Sequence, residues 1–331
     1  RHAHDLYAIS PISPFNVGQP VMDLSAINPI LLVASLMVAA TPILLAAIGE
    51  LVVEKSGVLN LGVEGMMITG AFSGFAAAVL TGSPMVGFLC AAIGGAALSV
   101  IFAILTQYFL SNQVATGLAI TLLGLGLSGL IGSGFVGLPG VKLANVSIPW
   151  LSDLPYVGRL IFGQDPLVYV SIALTAGVAY TLNHTRMGLI IRAVGQNHAS
   201  AHNLGYRVVA VRYACIAFGG ATSGLAGAYL SLVYTPQWIE NMTAGRGWIA
   251  LALVVFSTWL PGRLAAGAYL FGGVWILGLY AQGMGVGIPS QLLSSLPYVA
   301  TILALVIIST NRRLSLINTP ASLGQDFVPD R

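Results

Sequence analysis

Residues 64–108 read EGMMITGAFSGFAAAVLTGSPMVGFLCAAIGGAALSVIFAILTQY, and no Asp, Glu, Lys or Arg follows Glu64 until Lys142. A helix crosses the hydrocarbon of a bilayer with about 20 mainly apolar residues. A tract of this length therefore holds two spans. Arg263 to Arg312 is a second such tract, while Asp23–Glu50, Asp165–Arg186 and Arg212–Glu240 hold one span each. Nine apolar segments can be drawn, at about 29–50, 57–80, 84–106, 114–134, 166–183, 211–234, 245–260, 264–284 and 291–310. Lipid offers no partner to unpaired backbone groups, so the segments are helical. The fold class is all-α: a polytopic membrane helix bundle of about 8–10 spans.

Composition agrees. The chain has 331 residues, 56% of them hydrophobic and only 7% charged, against roughly 25% charged in an average soluble domain. Its mean hydropathy is +0.88. Thirteen basic and ten acidic side chains cannot cover a water-soluble globule of this size, which excludes a soluble enzyme, and disorder goes with it. The net charge of +3 comes without a basic run, so no nucleic-acid partner is expected. Cys90 and Cys215 lie in apolar tracts and read as small buried residues.

Residues 1–21 read as an irregular segment of the kind added in cloning, Met22 making a natural start; residues 22–318 form the transmembrane domain and 319–331 a cytoplasmic tail. The first apolar run is long enough to remain as a span, and no cleavable signal peptide is evident. Arg186, Arg192, Arg207 and Arg212 in 184–212, Arg263, and the pair Arg312 and Arg313 fall on one side of the membrane. That side is cytoplasmic by the positive-inside rule. The loop 135–165, with Trp150 and Arg159, then faces outward and carries no recognisable motif, and Lys55 falls inside.

Two segments look broken. Gly57, Asn60, Gly62, Glu64 and Gly65 open the second, and Asn241, Thr243, Gly245, Arg246 and Gly247 precede the short seventh. Glycine, amide and charge at such a place suggest interrupted or re-entrant helices, and the faint echo between the two runs suggests pseudo-symmetric halves. Glu64 and Arg246 each admit two readings: an anchor for an unwound turn, or a lining of the solute path. Asn60, Asn241, Thr243, Trp248 and Phe72 are the residues that would add hydrogen bonds and a stacking face to such a path. The pairs Gly70/Gly74, Gly220/Gly224 and Gly283/Gly287 have the spacing of close helix contacts.

Catalytic motifs are wanting. Lys55 and Lys142 follow Glu54 and Val141, so there is no P-loop. Gly124-Leu-Gly-Leu-Ser-Gly129 matches a dinucleotide fingerprint literally, but lies in a membrane tract and reads as packing. No HExxH or GxSxG occurs. His198 and His202 share a helix face but lack a third metal ligand, and read as a solvated face. The run Gly195–Gly205 reads as a short cytoplasmic helix with Asn197 as N-cap and Gly205 just beyond its end. It has the form of a lever that passes force from a separate motor to membrane helices; an ordinary basic loop is the alternative.

Asn183-His-Thr-Arg-Met-Gly-Leu-Ile-Ile-Arg-Ala-Val-Gly-Gln-Asn-His-Ala-Ser-Ala-His-Asn-Leu-Gly205 resembles the cytoplasmic coupling segment of permeases in the ribose/branched-chain amino-acid ABC importer superfamily. Gly57-Val-Leu-Asn-Leu-Gly-Val-Glu-Gly-Met-Met67, Glu240-Asn-Met-Thr-Ala-Gly-Arg-Gly-Trp-Ile-Ala-Leu-Ala252 and Thr319-Pro-Ala-Ser-Leu-Gly324 resemble its nucleoside-type branch. His198 departs from the pattern, which more often has an acidic residue or proline there.

The resemblance implies a permease subunit, not an enzyme, with Arg192, Gly195, Gln196, Asn197, His198, Ala199 and Gly205 meeting an ATPase. It implies no cofactor in this chain, ATP and magnesium belonging to that ATPase. It further implies a second related permease in a heterodimer and an extracytoplasmic substrate-binding protein, all in a bacterial cytoplasmic membrane. Nucleosides are the expected solutes, with riboflavin or a simple sugar as alternatives. From another class, a proton-coupled secondary transporter would use Glu64 and would need no coupling loop.

Overall fold

The computed structural model describes residues 29–143, 163–283, 289–309 and 318–328. The readings placed on residues 1–21, Trp150, Arg159, Gly287, Arg312 and Arg313 lie outside them. The helices are α1 (Pro29–Lys55), α2 (Val63–Thr81), α3 (Pro84–Ala103), α4 (Gln113–Gly132), α5 (Pro166–His184), α6 (Arg186–Gln196), α7 (His198–Asn203), α8 (Val208–Tyr229), α9 (Arg246–Phe256), α10 (Pro261–Gly283) and α11 (Ser290–Ser309). Among the described residues, seven are long and apolar enough to cross a membrane: α1 to α5, α8 and α10. The chain is a multi-pass membrane protein.

The tract from Glu64 to Lys142, allotted two spans by charge spacing and three by the apolar segments at 57–80, 84–106 and 114–134, holds α2, α3 and α4. The turns between them are made without charge. Gly82 adopts φ +69° after α2, and the Asn112 side chain caps α4 by accepting from Ala115 N. The seventh segment is only α9, 11 residues long. At 1.5 Å per residue it covers about 16 Å, roughly half a bilayer core. It is the broken helix expected there.

α2 is the most enclosed span and packs against α3 and α8 in the centre, with α1 and α3 also on α8, α4 against α2 and α10 against α1. Backbones touch where side chains are missing. A Cβ on Gly70 would overlap Gly224, and one on Gly124 would overlap the Gly65 backbone. So Gly70 and Gly224 work as a cross-helix pair, and the fingerprint glycine Gly124 is a packing residue. Gly283 faces open space instead. Close backbone approach replaces the hydrophobic effect here, because lipid is as apolar as the core.

Candidate functional site

A polar turn lies in the middle of the bundle. Gly65 of α2 abuts Ile120, Thr121 and Gly124, midway along α4. Neighbouring Glu64 is therefore level with the middle of α4, and it is only 3% exposed. The chain reaches it from the far end of α8. Trp238 lies edge-on to Phe72 with ring centroids 5.5 Å apart, and Phe72 in turn meets Phe135. Glu240 reaches α4 at Gly129, and the turn at 241–245 closes with Asn241 (φ 56°), Ala244 (φ 46°) and Gly245 (φ 81°) in the left-handed region.

Glu64 receives this turn. Its Oε1 accepts from Thr243 Oγ1 at 2.5 Å and from Gly245 N at 2.9 Å, and its Oε2 accepts from Gly247 N at 2.6 Å. The amides at a helix start lack intrahelical partners and carry the positive end of the helix dipole. A carboxylate there satisfies both. Gly247 has to be glycine, since a Cβ would stand 2.7 Å from Glu64 Cα.

Arg246 serves the opposite side of the turn. It donates to Met242 O (3.2 Å) and Thr243 O (3.3 Å), and its guanidinium lies over the Trp275 ring at 4.7 Å. The acid takes the donors and the base takes the acceptors, so the unwound backbone is satisfied where water is scarce. These contacts describe an anchor. Beside it, Asn241 and Glu240 are exposed and Trp248 is half-buried.

Asn60, grouped with Glu64 in the sequence, turns to another acid. Its backbone N and Nδ2 both donate to Glu50 at 3.3 Å, and its Oδ1 accepts from Gly62 N. It holds the unwound turn before α2. One helical turn on from Glu50, Glu54 Oε2 accepts from Trp259 Nε1 at 2.6 Å. Glu50 and Glu54 are wholly buried, and sequence reasoning missed both. Their i, i+4 spacing within an apolar run was the available signal.

A second cluster closes the end assigned to the cytoplasm. α6 starts on a Thr185 cap and ends at Asn197, whose Oδ1 accepts from Ser200 N at 2.9 Å to start α7. The N-cap expected at Asn197 is in place, as is the left-handed Gly205 (φ 87°). Gly195 and Gln196 belong to α6 rather than to the helix after it, which narrows the expected 195–205 helix. Gly195 packs directly beneath Lys55 O.

The tail binds all of this together. Ser322 N donates to Gly195 O (2.9 Å), Gln196 Nε2 to Thr319 O (3.3 Å), Lys55 Nζ to Asn318 O (2.9 Å) and Gly324 N to Gly57 O (3.2 Å). Arg212 of α8 is fully buried, unlike a solvated basic-loop residue. It donates to Ser56 O at 3.3 Å, to Gln107 Oε1 at 3.2 Å and to Gln325 O at 3.1 Å. Gln107 is presented by the π-turn that ends α3. Gln113 of α4 reaches Asp326 at 3.5 Å and also holds Leu59 N.

His198 and His202 do share a face, and the face is partly covered: both rings are half-buried and lie edge-on to Phe327, at 5.3 and 5.4 Å. His198 Nδ1 lies 3.5 Å from Arg212 Nη2. Burial and that guanidinium hold the imidazole below the usual histidine range. Gln196, Asn197 and Ala199 stay exposed, with Arg192 on the preceding turn. By sequence the tail reads as a cytoplasmic segment whose Thr319–Gly324 resembles the family; as a polar stretch without period it gives no sign of these contacts.

The family model described as branched-chain amino acid transport system / permease component matches residues 32–309. The chain is 38% identical over 314 residues to the putative glucose ABC transporter permease protein TsgC13 of Haloferax volcanii, covering 87% of this chain and 94% of that one. It is 32% identical over 301 residues to the guanosine ABC transporter permease protein NupQ of Bacillus subtilis (86% and 93%). It is 29% identical over 291 residues to the nucleoside ABC transporter permease protein NupC of Lactococcus lactis (84% and 92%). No solved structure matches.

Proposed function

The chain belongs to the branched-chain amino acid transport system / permease component family, and on that premise we propose that it imports a nucleoside as one of two paired permeases. It is the permease subunit of an ABC transporter and not an ATPase, which is a separate subunit. In this reading a binding protein delivers the solute to the outer face, and a related permease completes the path.

The observation that carries the reading is the exposed Asn241 with Trp248 beside it, in the turn that Glu64 holds, and the exposed Glu240 just before it, which reaches Gly129 nearer the outer end of α4. A charged side chain exposed alongside a membrane-spanning helix avoids lipid and faces a cavity or a partner. An indole stacks on a base, and amide and carboxylate groups bond its edge and ribose. Similarity to a putative glucose permease favours a second reading, a sugar, for which the same polar strip serves.

ATP binding and hydrolysis in the partner move the exposed residues Gln196, Asn197 and Ala199. Gly195 passes that motion to the end of α1, and the tail passes it through Arg212 to α8 and through Gln113 to α4. Three donors converge on the Glu64 carboxylate. That arrangement suits a fixed acceptor better than a group that binds and releases a proton each cycle, so it weighs against the proton-coupled alternative. Competition between labelled guanosine and glucose for uptake by vesicles carrying the full complex tests the solute. Uptake of glucose with no nucleoside uptake or competition overturns the nucleoside reading.

A further inference from the structure

We propose that the groove between α5 and α8 holds an acyl chain of an anionic phospholipid of the cytoplasmic leaflet, with its phosphate between Lys55 and Arg192. α5 leans on α1 and α10 rather than on α8. The gap is a groove of about 590 Å³, lined from α5 by Val170, Ala173, Gly177 and Thr181 and from α8 by Cys215 and Phe218. From Val170 to Leu182 the α5 wall runs about 18 Å at 1.5 Å per residue. One leaflet of hydrocarbon is about 15 Å thick, so the groove is one acyl chain long. The placement rests on the orientation that puts α6 and α7 at the cytoplasmic side.

Leu182 closes this groove and opens the next, a pocket of about 470 Å³ lined also by Lys55, Asn183, Arg192 and Gln196. The apolar channel thus ends on two cations. Among the described residues, no Asp or Glu lines the pocket. Lys55 is buried and donates one bond, to Asn318 O. Arg192 has no hydrogen-bond or ion-pair partner among the described residues. Two like charges held together at a membrane interface without a carboxylate favour a bound anion, and a guanidinium beside an ammonium suits a phosphodiester. Charge at one end and a leaflet-length apolar wall at the other together fit a lipid, not free phosphate.

Native mass spectrometry of the full transporter, equilibrated with phosphatidylglycerol or phosphatidylcholine, reads occupancy directly. The complex should retain phosphatidylglycerol in preference, and millimolar inorganic phosphate should not displace it. Gly177→Leu places a branched side chain in the groove from a position where a Cβ meets nothing within 4 Å, and should abolish retention. Arg192→Gln should lower the preference for the anionic lipid about fivefold, the worth of one basic side chain at a membrane surface. Equal retention of both lipids, displacement by phosphate, or unchanged retention in both variants overturns the proposal. So does protection of the pocket by the ATPase or second permease with no lipid bound.

Discussion

The Thr243 hydroxyl donates to the Glu64 carboxylate at 2.5 Å, across 179 positions of sequence. The bond fastens the start of α9 to the start of α2, so the two interrupted helices share one acidic anchor. Glu64→Gln keeps the shape but turns an amide NH2 toward N–H donors. A buried donor left unpaired costs about 1–3 kcal/mol. The variant complex should melt earlier and lose most uptake, while Glu64→Asp should recover part of both. A melting curve and uptake rate like wild type in Glu64→Gln would remove the anchor.

Arg212 ties α8 to the α1–α2 turn, to α3 and to the tail. Hydrogen bonds to a charged group contribute about 1.5–3 kcal/mol each. One of the three, to Gln325 O, reaches the tail, so Arg212→Met should weaken tail docking by about 1.5–3 kcal/mol. Hydrogen exchange over 318–328 should quicken, and ATP hydrolysis should continue without matching uptake. Unchanged exchange in the tail contradicts the strut.

Acidity should act on the same place. His198 faces Arg212 of α8, with Asp326 and Phe327 of the tail and His202 of its own helix nearby. Its folded pKa lies below the ordinary value of about 6.5. Packing that requires a neutral ring is fully present above that value and is lost as pH falls through it toward the folded pKa. Tail exchange should therefore rise as pH is lowered from 7.5 to 5.5. His198→Gln should flatten the profile, and an unaltered profile in that variant counts against the histidine.

Packing gives a paired control. A side chain at Gly70 would overlap Gly224, whereas one at Gly126 meets nothing within 4 Å. Gly70→Val should cost about 1–3 kcal/mol or more through overpacking and should reduce the yield of assembled complex. Gly126→Ala should leave the melting temperature within about a degree. Similar yields from both would mean that α2 and α8 do not meet through these glycines.

Much of this architecture is visible in the chain because charge is so sparse. The gaps between charges mark the spans, and glycine, amide and charge together mark the two breaks at Glu64 and Arg246. Charge spacing alone does not show the third helix in the Glu64–Lys142 tract, because its turns are built from Gly82 and Asn112; the apolar segments at 57–80, 84–106 and 114–134 do show it. Glu50 and Glu54 sit next to Lys55 and look like an ordinary helix end; that they are sealed by Asn60 and Trp259 depends on residues far along the chain. Asn60 falls in the turn before α2 and points to α1, away from its sequence neighbour Glu64. The tail has no period at all, and only the folded bundle gives Ser322 and Phe327 their partners.

The central claim is that power arrives through the Gln196–Ala199 corner from a separate ATPase. Uptake and ATP hydrolysis measured together, in vesicles carrying the full complex with Gln196, Asn197 and His198 all changed to Ala, test it most directly. Continued hydrolysis with uptake lost is the expected result. Normal uptake by that variant, or accumulation driven by a pH gradient with this chain alone in the vesicle, would contradict it.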